Sequence, residues 1–312
     1  MSIEDIPNKA SVCLIVLQYN KLDLTRQCLL SIVEKEEGGP LVDRFILADN
    51  ASTEEGVAEQ FSWAKSIISN IETVQFSENY GFADAHNRLI EGVNEDYVLL
   101  LNNDTLLVND AITQILRCAF NDKVDVATGI LYNQDGSVQP NTKGFYFFPE
   151  PLKRINIWIQ KKFRTLVKSN AKSCQFDPIV YANGAFLLIK TALFKKVGGF
   201  DKQYFMYTED LDLMIKLNKI GATMRAYHAP KVVHLGGASS AQVWDEYEKV
   251  RFQISQGNRV IIGHYGKIAN YTWAIVYGFC AITIFTVMAF YKGGILNVRI
   301  LWRKAVWRLW AR

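Results

Sequence analysis

Short apolar runs alternate with amphipathic stretches through the first 120 residues of the chain. An unbroken apolar run between polar residues is typical of a strand buried on both faces, and apolar positions spaced three and four apart are typical of a helix. The alternation therefore predicts an α/β fold with a mostly parallel, doubly wound, Rossmann-like sheet. The predicted strands cover 12–17, 45–48, 73–76 and 97–101, and the predicted helices cover 22–33, 82–93, 111–119 and a stretch that starts at Thr53.

Polar residues follow each of these strands. The polar stretches begin at Gln18, Asp49, Ser77 and Asn102. When all crossovers have one hand, the carboxyl ends of parallel strands line up along one edge of the sheet, where α/β proteins bind their ligands. No glycine-rich phosphate-binding loop follows the first strand, so a nucleotide at this edge would need a metal ion and side chains to hold its phosphates.

The fourth strand carries the densest polar ending. The apolar run Tyr97–Leu101 stops at Asn102, Asn103 and Asp104. A carboxylate in this position is placed to hold a hard cation, which can in turn hold phosphate. The alternative at this point is a polar turn without further function.

Two more groups of candidate residues lie beyond a strand-like stretch at 181–189. Glu209, Asp210 and Asp212 precede a helix with apolar residues at helical spacing, and His234 directly follows a short apolar run. Acidic residues are common in the first turn of a helix, but this cluster is denser than capping needs. Neighbouring like charges raise pKa values, which suits a general base. For His234, a structural role and a role as a ligand are both open.

Composition describes a globular protein whose charge is unevenly spread. The 312 residues are 49% hydrophobic and 21% charged, enough for one large domain or two small ones. Residues 292–312 contain six bases and no acid, and the remaining 29 bases and 31 acids give residues 1–291 a net charge of −2. Such a basic tail predicts contact with an anionic surface, either a membrane or a nucleic acid.

The five cysteines are scattered, and none forms a Cys-x-x-Cys pair. We therefore expect neither a zinc ribbon nor a disulfide framework. Cys13 and Cys28 lie in apolar stretches and are expected in the core. This pattern fits the reducing cytoplasm, and the N-terminus lacks the charged and apolar regions of a signal peptide.

Two segments interrupt the globular pattern. Residues 143–172 combine aromatic residues with eight bases and one acid, which predicts a solvated loop or, alternatively, a lid that touches lipid headgroups. Residues 268–291 contain no charge and would span about 36 Å as a helix. Bases lie on both sides of this stretch, and an amphipathic pattern follows it, so an anchor on the membrane surface is favoured over a single span and over a core helix. The expected division is a catalytic body at 1–262 and membrane-anchoring helices at 263–312.

Seven short motifs occur in a fixed order, and together they resemble those of the inverting family 2 glycosyltransferases of the GT-A fold, in particular the bacterial rhamnosyltransferase-like branch. The resemblance runs from about Val12 to about Gly237. The motifs are Gln18-Tyr19-Asn20, Asp49-Asn50-Ala51-Ser52, Asn79-Tyr80-Gly81-Phe82 with Asn87-Arg88, Asn102-Asn103-Asp104, Asn183-Gly184, Gly199-Phe200-Asp201 with Glu209-Asp210, and His234-Leu235-Gly236-Gly237.

On the donor side, the resemblance implies that Tyr19 packs against the nucleotide base and that Asp49 accepts the imide N–H of uracil or thymine. The same resemblance places four further residues in the pocket near the ribose and the phosphates. They are Asn79, Gly81, Asn87 and Arg88.

On the reacting side, the resemblance makes Asp210 the catalytic base and places Glu209 and Asn183 near the acceptor. Asn102 and Asp104 fall on the family's Asp-x-Asp motif, where Asp104 and His234 would bind Mg²⁺ or Mn²⁺. The first carboxylate of that motif is replaced by Asn102. The chain also lacks small residues of the family near Asp84 and Leu89, so Asp84 or His86 is a candidate for contact with the donor sugar.

The implied function is a metal-dependent, inverting hexosyl transfer from a nucleotide sugar to a glycan on a polyprenyl diphosphate in O-antigen, capsule or cell-wall synthesis. dTDP-rhamnose is the first candidate donor, followed by UDP-hexoses and UDP-N-acetylhexosamines. The expected place is the cytoplasmic face of the bacterial inner membrane, as a peripheral or monotopic protein. The alternatives are a non-catalytic nucleotide-sugar-binding or scaffold protein of the same fold and, disfavoured by the apolar stretch beside the tail, a nucleic-acid binder.

Overall fold

The structure is a computed structural model that describes residues 10–37, 39–139, 141–143 and 174–235. The helices of this part are α1 (Leu22–Lys35), α2 (Val57–Ile67), α3 (Gly81–Glu91), α4 (Ala111–Asp122), α5 (Thr191–Lys196) and α6 (Glu209–Lys219). The strands are β1 (Val12–Gln18), β2 (Arg44–Asp49), β3 (Ile71–Gln75), β4 (Tyr97–Asn102), β5 (Thr105–Leu107), β6 (Val126–Tyr132), β7 (Thr142–Lys143), β8 (Phe176–Pro178), β9 (Tyr181–Ala182), β10 (Phe186–Lys190) and β11 (Met224–His234).

One large sheet organises these elements in the order β3-β2-β1-β4-β10-β6-β11-β5, with β8 added to β11. β1, β2, β3 and β4 are parallel to one another, as the alternation of apolar runs and helices predicts. β10 runs antiparallel to both β4 and β6, whereas β6 is parallel to β11. The N-terminal half is therefore a parallel doubly wound sheet, and the C-terminal half makes the whole sheet mixed.

The core follows from the central position of β1 and β4. Residues 12–16 of β1 are fully buried, and so are Leu99 and Leu100 of β4. An inner parallel strand with covered faces has no exposed side, so both odd and even positions must be apolar. This explains why these strands appear in the sequence as unbroken apolar runs.

Helix α2 begins at Val57, four residues after the start that the sequence predicts. The backbone N–H groups of Thr53 and Glu54 instead donate to the side-chain oxygen of Asn20, at 2.8 and 3.1 Å. Gly56, with φ of +98°, then turns the chain into the helix. The loop between β2 and α2 is thus held by Asn20, a polar residue in the stretch that follows β1.

The sequence predicts no disulfide framework, but the structure contains one disulfide bond that the cysteine spacing does not indicate. Cys118 of α4 and Cys174, just before β8, form a disulfide across 56 residues of sequence. Their spacing gives no local signal, because only the folding of β8 against β11 brings Cys174 to α4. Cys13 and Cys28 are free and buried as expected, and burial raises the pKa of each thiol to about 12.

Several expectations lie outside the described residues. They are the lid or loop at 144–172, the apolar stretch at 268–291, the basic tail at 292–312, the domain boundary at 262/263, and Gly236 with Gly237. Within the described ranges, we find no helix that is both long enough and apolar enough to cross a bilayer.

Candidate active site

The carboxyl ends of β1, β2 and β4 lie side by side. In the register of the parallel strands, Gln18 pairs with Asp49, and Leu17 pairs with Asn102. The polar residues that follow these strands therefore share one edge of the sheet, as the sequence predicts.

Asp104 and His234 meet at this edge although 130 residues separate them in the sequence. The Nε2 atom of His234 lies 3.3 Å from Oδ1 of Asp104 and 3.5 Å from Nδ2 of Asn102. β5 and β11 cause this contact, because their antiparallel pairing sets His234 opposite Thr105, and the Leu235 N–H donates to the Asp104 carbonyl. Both side chains are largely buried.

Gln139 determines which nitrogen of His234 faces Asp104. The Gln139 Nε2 atom lies 3.1 Å from Oδ1 of Asn133 and 3.4 Å from the His234 carbonyl, which identifies it as the amide nitrogen. Its Oε1 atom is therefore the acceptor 2.7 Å from Nδ1 of His234, so that Nδ1 carries the proton. In the neutral ring, Nε2 then presents a lone pair toward Asp104. Sequence reasoning missed Gln139, because no local motif links it to His234.

These residues fit a divalent cation. A lone pair on Nε2 of His234 and a carboxylate oxygen of Asp104 face each other at 3.3 Å, an arrangement that a cation between them would stabilise. A carboxylate oxygen with one imidazole nitrogen suits Mg²⁺ or Mn²⁺. Nowhere in the described ranges do three His, Cys, Asp or Glu residues cluster as a metal site, so this one would complete its ligand shell with diphosphate and water.

Asp210 lies in the first turn of α6, and each of its carboxylate oxygens accepts a hydrogen bond. The Tyr181 hydroxyl donates to Oδ2 at 2.8 Å, and the Leu211 N–H donates to Oδ1 at 2.7 Å. The backbone N–H of Gly184 also lies near this carboxylate and lowers its pKa. Burial raises the pKa of Asp210, and these hydrogen bonds lower it without cancelling the rise.

Glu209, beside Asp210, is a second buried carboxyl group. Its side chain is 6% exposed, and its Oε2 atom has no hydrogen-bond partner among the described residues. Burial, followed by the charge of Asp210, raises the pKa of Glu209 to about 8. The two carboxyl groups therefore differ in their surroundings, because both oxygens of Asp210 accept hydrogen bonds whereas the buried Oε2 atom of Glu209 accepts none from the described residues.

The segment Asn183–Ala185 connects this base to the strand edge. The Gly184 N–H reaches Asp210, and the carbonyl of the next residue, Ala185, accepts the Asn102 N–H at 3.0 Å. Asn183 stabilises the turn, because its Oδ1 atom accepts the Ala185 N–H and its own N–H donates to the Asn141 carbonyl. Asp210 and the Asn102–Asp104 ending are thus joined through one short turn.

Asp49 and Asn50 organise the loops on the donor side. Asp49 is fully buried, and its carboxylate accepts hydrogen bonds from the Gln18 side chain and from Ser52. The Asn50 side chain donates to Oδ1 of Asn79 and to the Gly81 carbonyl, and it accepts the N–H of Tyr80. The sequence motif contains Asn50 without giving it a role, which the structure supplies.

Gly81 occupies a position that no other residue fits. Its φ is +71°, and a Cβ atom added there would lie 2.3 Å from the Phe205 carbonyl oxygen. The next residue, Phe82, donates its N–H to the same carbonyl at 2.8 Å. This contact joins the start of α3 to the loop that leads to Asp210.

Asn87 makes a second link between α3 and that loop. Its side-chain amide donates to the Phe200 carbonyl at 2.7 Å and accepts the Phe200 N–H at 3.0 Å. Both ends of the amide bond the backbone, so Asn87 shapes the pocket by holding the loop.

The remaining candidates take other positions around the donor side. The Arg88 side chain bonds Asp84 at 2.9 Å and stacks 3.6 Å from the Tyr80 ring centroid. His86 is 2% exposed, its Nδ1 atom is bonded to the Phe82 carbonyl, and burial lowers its pKa to about 4. Tyr19 is 44% exposed and leaves its ring open to solvent beside β1.

Sequence comparison identifies the family of this chain. The family model for "Glycosyl transferase family 2" matches residues 13–196, which is more than half of the chain. The chain belongs to glycosyl transferase family 2. The match includes Asp49, Asn102 and Asp104, whereas Asp210 and His234 follow it in the sequence.

Two curated relatives come from bacterial glycan synthesis. The chain is 27% identical over 209 residues to the N-acetylglucosaminyl-diphospho-decaprenol L-rhamnosyltransferase of Mycobacterium tuberculosis, covering 61% of this chain and 65% of the relative. It is 26% identical over 168 residues to the rhamnosyltransferase WbbL of Escherichia coli K12, covering 50% of this chain and 62% of the relative. The chain thus spans slightly less than two thirds of the length of these relatives.

Solved structures of low sequence identity share the fold. GalNAc-T7, solved with UDP, GalNAc and Mn²⁺, has a TM-score of 0.56 and 11% identity over 73% of this chain and 44% of that one. S. aureus TarS 1-349 has a TM-score of 0.51 and 14% identity over 79% of this chain and 65% of that one. The α/β fold of the GT-A type is therefore confirmed, while the segment predicted to associate with a membrane lies outside the described residues.

Proposed function

We propose that this protein is an inverting, metal-dependent glycosyltransferase that moves a rhamnosyl group from dTDP-rhamnose to a glycan carried on a polyprenyl diphosphate. The observation that carries the proposal is the contact between His234 and Asp104 at the carboxyl-terminal edge of the sheet, where the two side chains lie 3.3 Å apart. Asp210, the proposed base, is connected to this edge through the turn at residues 183–185, because the Gly184 N–H lies near its carboxylate and the Ala185 carbonyl accepts the Asn102 N–H. A base and a cation site are what a single displacement on a nucleotide sugar requires.

In the proposed reaction, the Asp210 carboxylate takes the proton of the acceptor hydroxyl as that oxygen attacks the anomeric carbon. The bond from this carbon to the diphosphate oxygen breaks at the same time, so the configuration inverts and no covalent enzyme intermediate forms. Asp104 and His234 would hold Mg²⁺ or Mn²⁺, and the ion would supply positive charge to offset the charge that grows on the leaving nucleoside diphosphate. Glu209 and Asn183 are proposed to lie on the acceptor side of this arrangement.

The donor is proposed from the two relatives, because both are named as rhamnosyltransferases. The acceptor is proposed from one of them, whose name gives N-acetylglucosaminyl-diphospho-decaprenol. A lipid-linked acceptor also agrees with the uncharged stretch at 268–291 and the six bases of residues 292–312. We propose that the enzyme works on the cytoplasmic face of the bacterial inner membrane, where the basic tail meets anionic lipid.

The test is transfer from a panel of dTDP- and UDP-sugars to a synthetic polyprenyl-diphosphate-linked N-acetylglucosamine by the full chain, with and without Mn²⁺. The expected product has the inverted anomeric configuration by NMR. Asp210→Asn should retain donor binding and lose turnover by 10³-fold or more, about the loss expected for a catalytic base. Asp212→Asn is the matched control, because the Asp212 carboxylate pairs with Lys216 on the same helix.

A non-catalytic nucleotide-sugar-binding protein of the same fold gives a different result in this assay. It would bind a donor by calorimetry and form no product with any acceptor. Full turnover by Asp210→Asn would exclude Asp210 as the base and would leave the family assignment unchanged.

A further inference from the structure

Tyr181 is the side chain that bonds Asp210 from outside α6. It belongs to the two-residue strand β9, which pairs with β7 so that Tyr181 lies opposite Lys143. Its hydroxyl lies 2.8 Å from Oδ2 of Asp210. Packing of β9 against α6 makes this contact across 29 residues of sequence.

We propose that Tyr181 is a positioning residue for glycosyl transfer, whose hydroxyl holds the Asp210 carboxylate in the orientation that receives the proton of the acceptor hydroxyl. This inference rests on the proposed function. Its basis is that the two carboxylate oxygens are held separately. The Tyr181 hydroxyl donates to Oδ2 and the Leu211 N–H donates to Oδ1, so the carboxylate is fixed in one orientation while each oxygen keeps a lone pair for the substrate proton.

The chemistry of Tyr181 fixes the direction of this hydrogen bond. Burial, followed by the charge of Asp210, raises the pKa of the Tyr181 phenol well above its ordinary value. The phenol therefore keeps its proton throughout the working range and acts toward Asp210 only as a donor. A donor of this kind orients the carboxylate without competing for the acceptor's proton.

The groups around Asp210 predict how its titration depends on Tyr181. Glu209 is its neighbour in the sequence, and Asp212 forms an ion pair with Lys216 one turn further along α6. Burial is the largest influence and raises the pKa of Asp210, while the hydrogen bond from Tyr181 is the largest of those that lower it. Removing the hydroxyl should therefore raise this pKa further. Because the base acts only when deprotonated, the acid limb of the rate profile should move to higher pH.

The decisive experiment compares Tyr181→Phe with Tyr227→Phe in the full chain. The substitution removes one oxygen in each case, and the Tyr227 hydroxyl also donates to a carboxylate, that of Asp122, at 2.8 Å. Asp122 ends helix α4, and Tyr227 lies in β11. Tyr227→Phe therefore also removes a buried hydrogen bond between a phenol and a carboxylate, but at a position away from the proposed base.

For Tyr181→Phe we expect kcat to fall roughly 10- to 100-fold, as for a lost hydrogen bond to a charged group, with an unchanged dissociation constant for the donor. The acid limb of the pH profile of kcat/KM should move to higher pH by about one unit. Tyr227→Phe should keep the wild-type profile. A Tyr181→Phe enzyme with the wild-type kcat and acid limb would overturn the inference, as would a loss of activity that follows lowered thermal stability alone. An inactive wild-type chain would overturn the proposed function as well.

Discussion

The Nδ1 atom of His234 lies 2.7 Å from the Oε1 atom of Gln139, at the edge where His234 also faces Asp104. A hydrogen bond to the far nitrogen of an imidazole fixes the tautomer and the ring orientation of a metal ligand. Gln139 is itself anchored by Asn133 and by the His234 carbonyl. The geometry of the proposed cation site thus depends on a residue that does not touch the cation.

Gln139→Leu should therefore weaken Mn²⁺ binding by about 10- to 100-fold, because Nδ1 loses its acceptor and the ring is free to rotate. Electron paramagnetic resonance of Mn²⁺ with nucleoside diphosphate and full chain measures this affinity directly. Gln114→Leu is the control, since the Gln114 side chain in α4 donates a hydrogen bond to Asp110, the residue just before that helix. Equal affinities in the two variants would contradict the positioning of His234 by Gln139.

Asn102→Asp should strengthen Mn²⁺ binding by about tenfold, because it restores a second carboxylate beside Asp104 and metal affinity rises with the charge of the ligands. The same titration reports the effect, and Asn103→Asp serves as the control, because the Asn103 amide bonds Thr25. If Asn102→Asp binds no more tightly than wild type, the Asn102 side chain does not belong to the ligand set.

Gly81→Ala should destabilise the fold by about 3 kcal/mol or more, since the added Cβ meets the Phe205 carbonyl at 2.3 Å in a backbone with φ of +71°. Gly136→Ala separates the two causes, because Gly136 has φ of +81° and open space around its Cβ position. We expect about 1 kcal/mol for that variant. Urea unfolding of both variants measures the difference, and equal losses would show that the contact with Phe205 contributes nothing.

Glu209 predicts a pH dependence of stability. Burial raises its pKa from 4.5 to about 8, so the folded protein holds a proton that the unfolded chain releases between these values. The free energy of unfolding should therefore fall as the pH rises from about 4.5 to about 8 and then level off. Glu209→Gln should flatten this slope. Urea unfolding of both proteins at pH 5, 6.5 and 8 gives the comparison, and parallel curves would contradict a buried, protonated Glu209.

The basic tail predicts salt-sensitive binding to anionic membranes. Replacing the six bases of residues 292–312 with glutamine in the full chain should reduce co-sedimentation with phosphatidylglycerol vesicles by at least tenfold, since each base near the surface contributes about 1 kcal/mol. Neutral phosphatidylcholine vesicles are the control and should bind both proteins equally. Unchanged binding to the anionic vesicles would count against the tail as the anchor.

Local patterns were sufficient for the first half of the fold. An inner strand such as β4 needs apolar residues on both faces, so its unbroken run from Tyr97 predicts both its place and its polar ending. Three-residue β5 and the long β11 have no such signal, because their pairing is set by contacts over more than 120 residues. β10 follows the turn at Asn183-Gly184, and the Asn183 N–H donates to the carbonyl of Asn141, 42 residues earlier in the sequence.

The candidate site divides in the same way. The family-like motifs include Asp104, His234 and Asp210, and the structure brings Asp104 and His234 into contact. Gln139 and Tyr181 could not be found by motif, because each acts through a side chain more than 25 residues away. Cys118 and Cys174 were misjudged for the same reason, since a disulfide depends on proximity in space.

The pairing of Asn87 with the Phe200 backbone has a consequence for enzyme engineering. A chimera with a related glycosyltransferase joins two segments from different parents at a chosen position in the chain. If the junction lies between α3 and Phe200, the Asn87 side chain comes from one parent and the loop that it holds comes from the other. The same junction would also place Gly81 and Phe205, which are in close contact, in segments from different parents. Crossovers after Lys219 keep both partners from one parent and should give the larger share of folded hybrids.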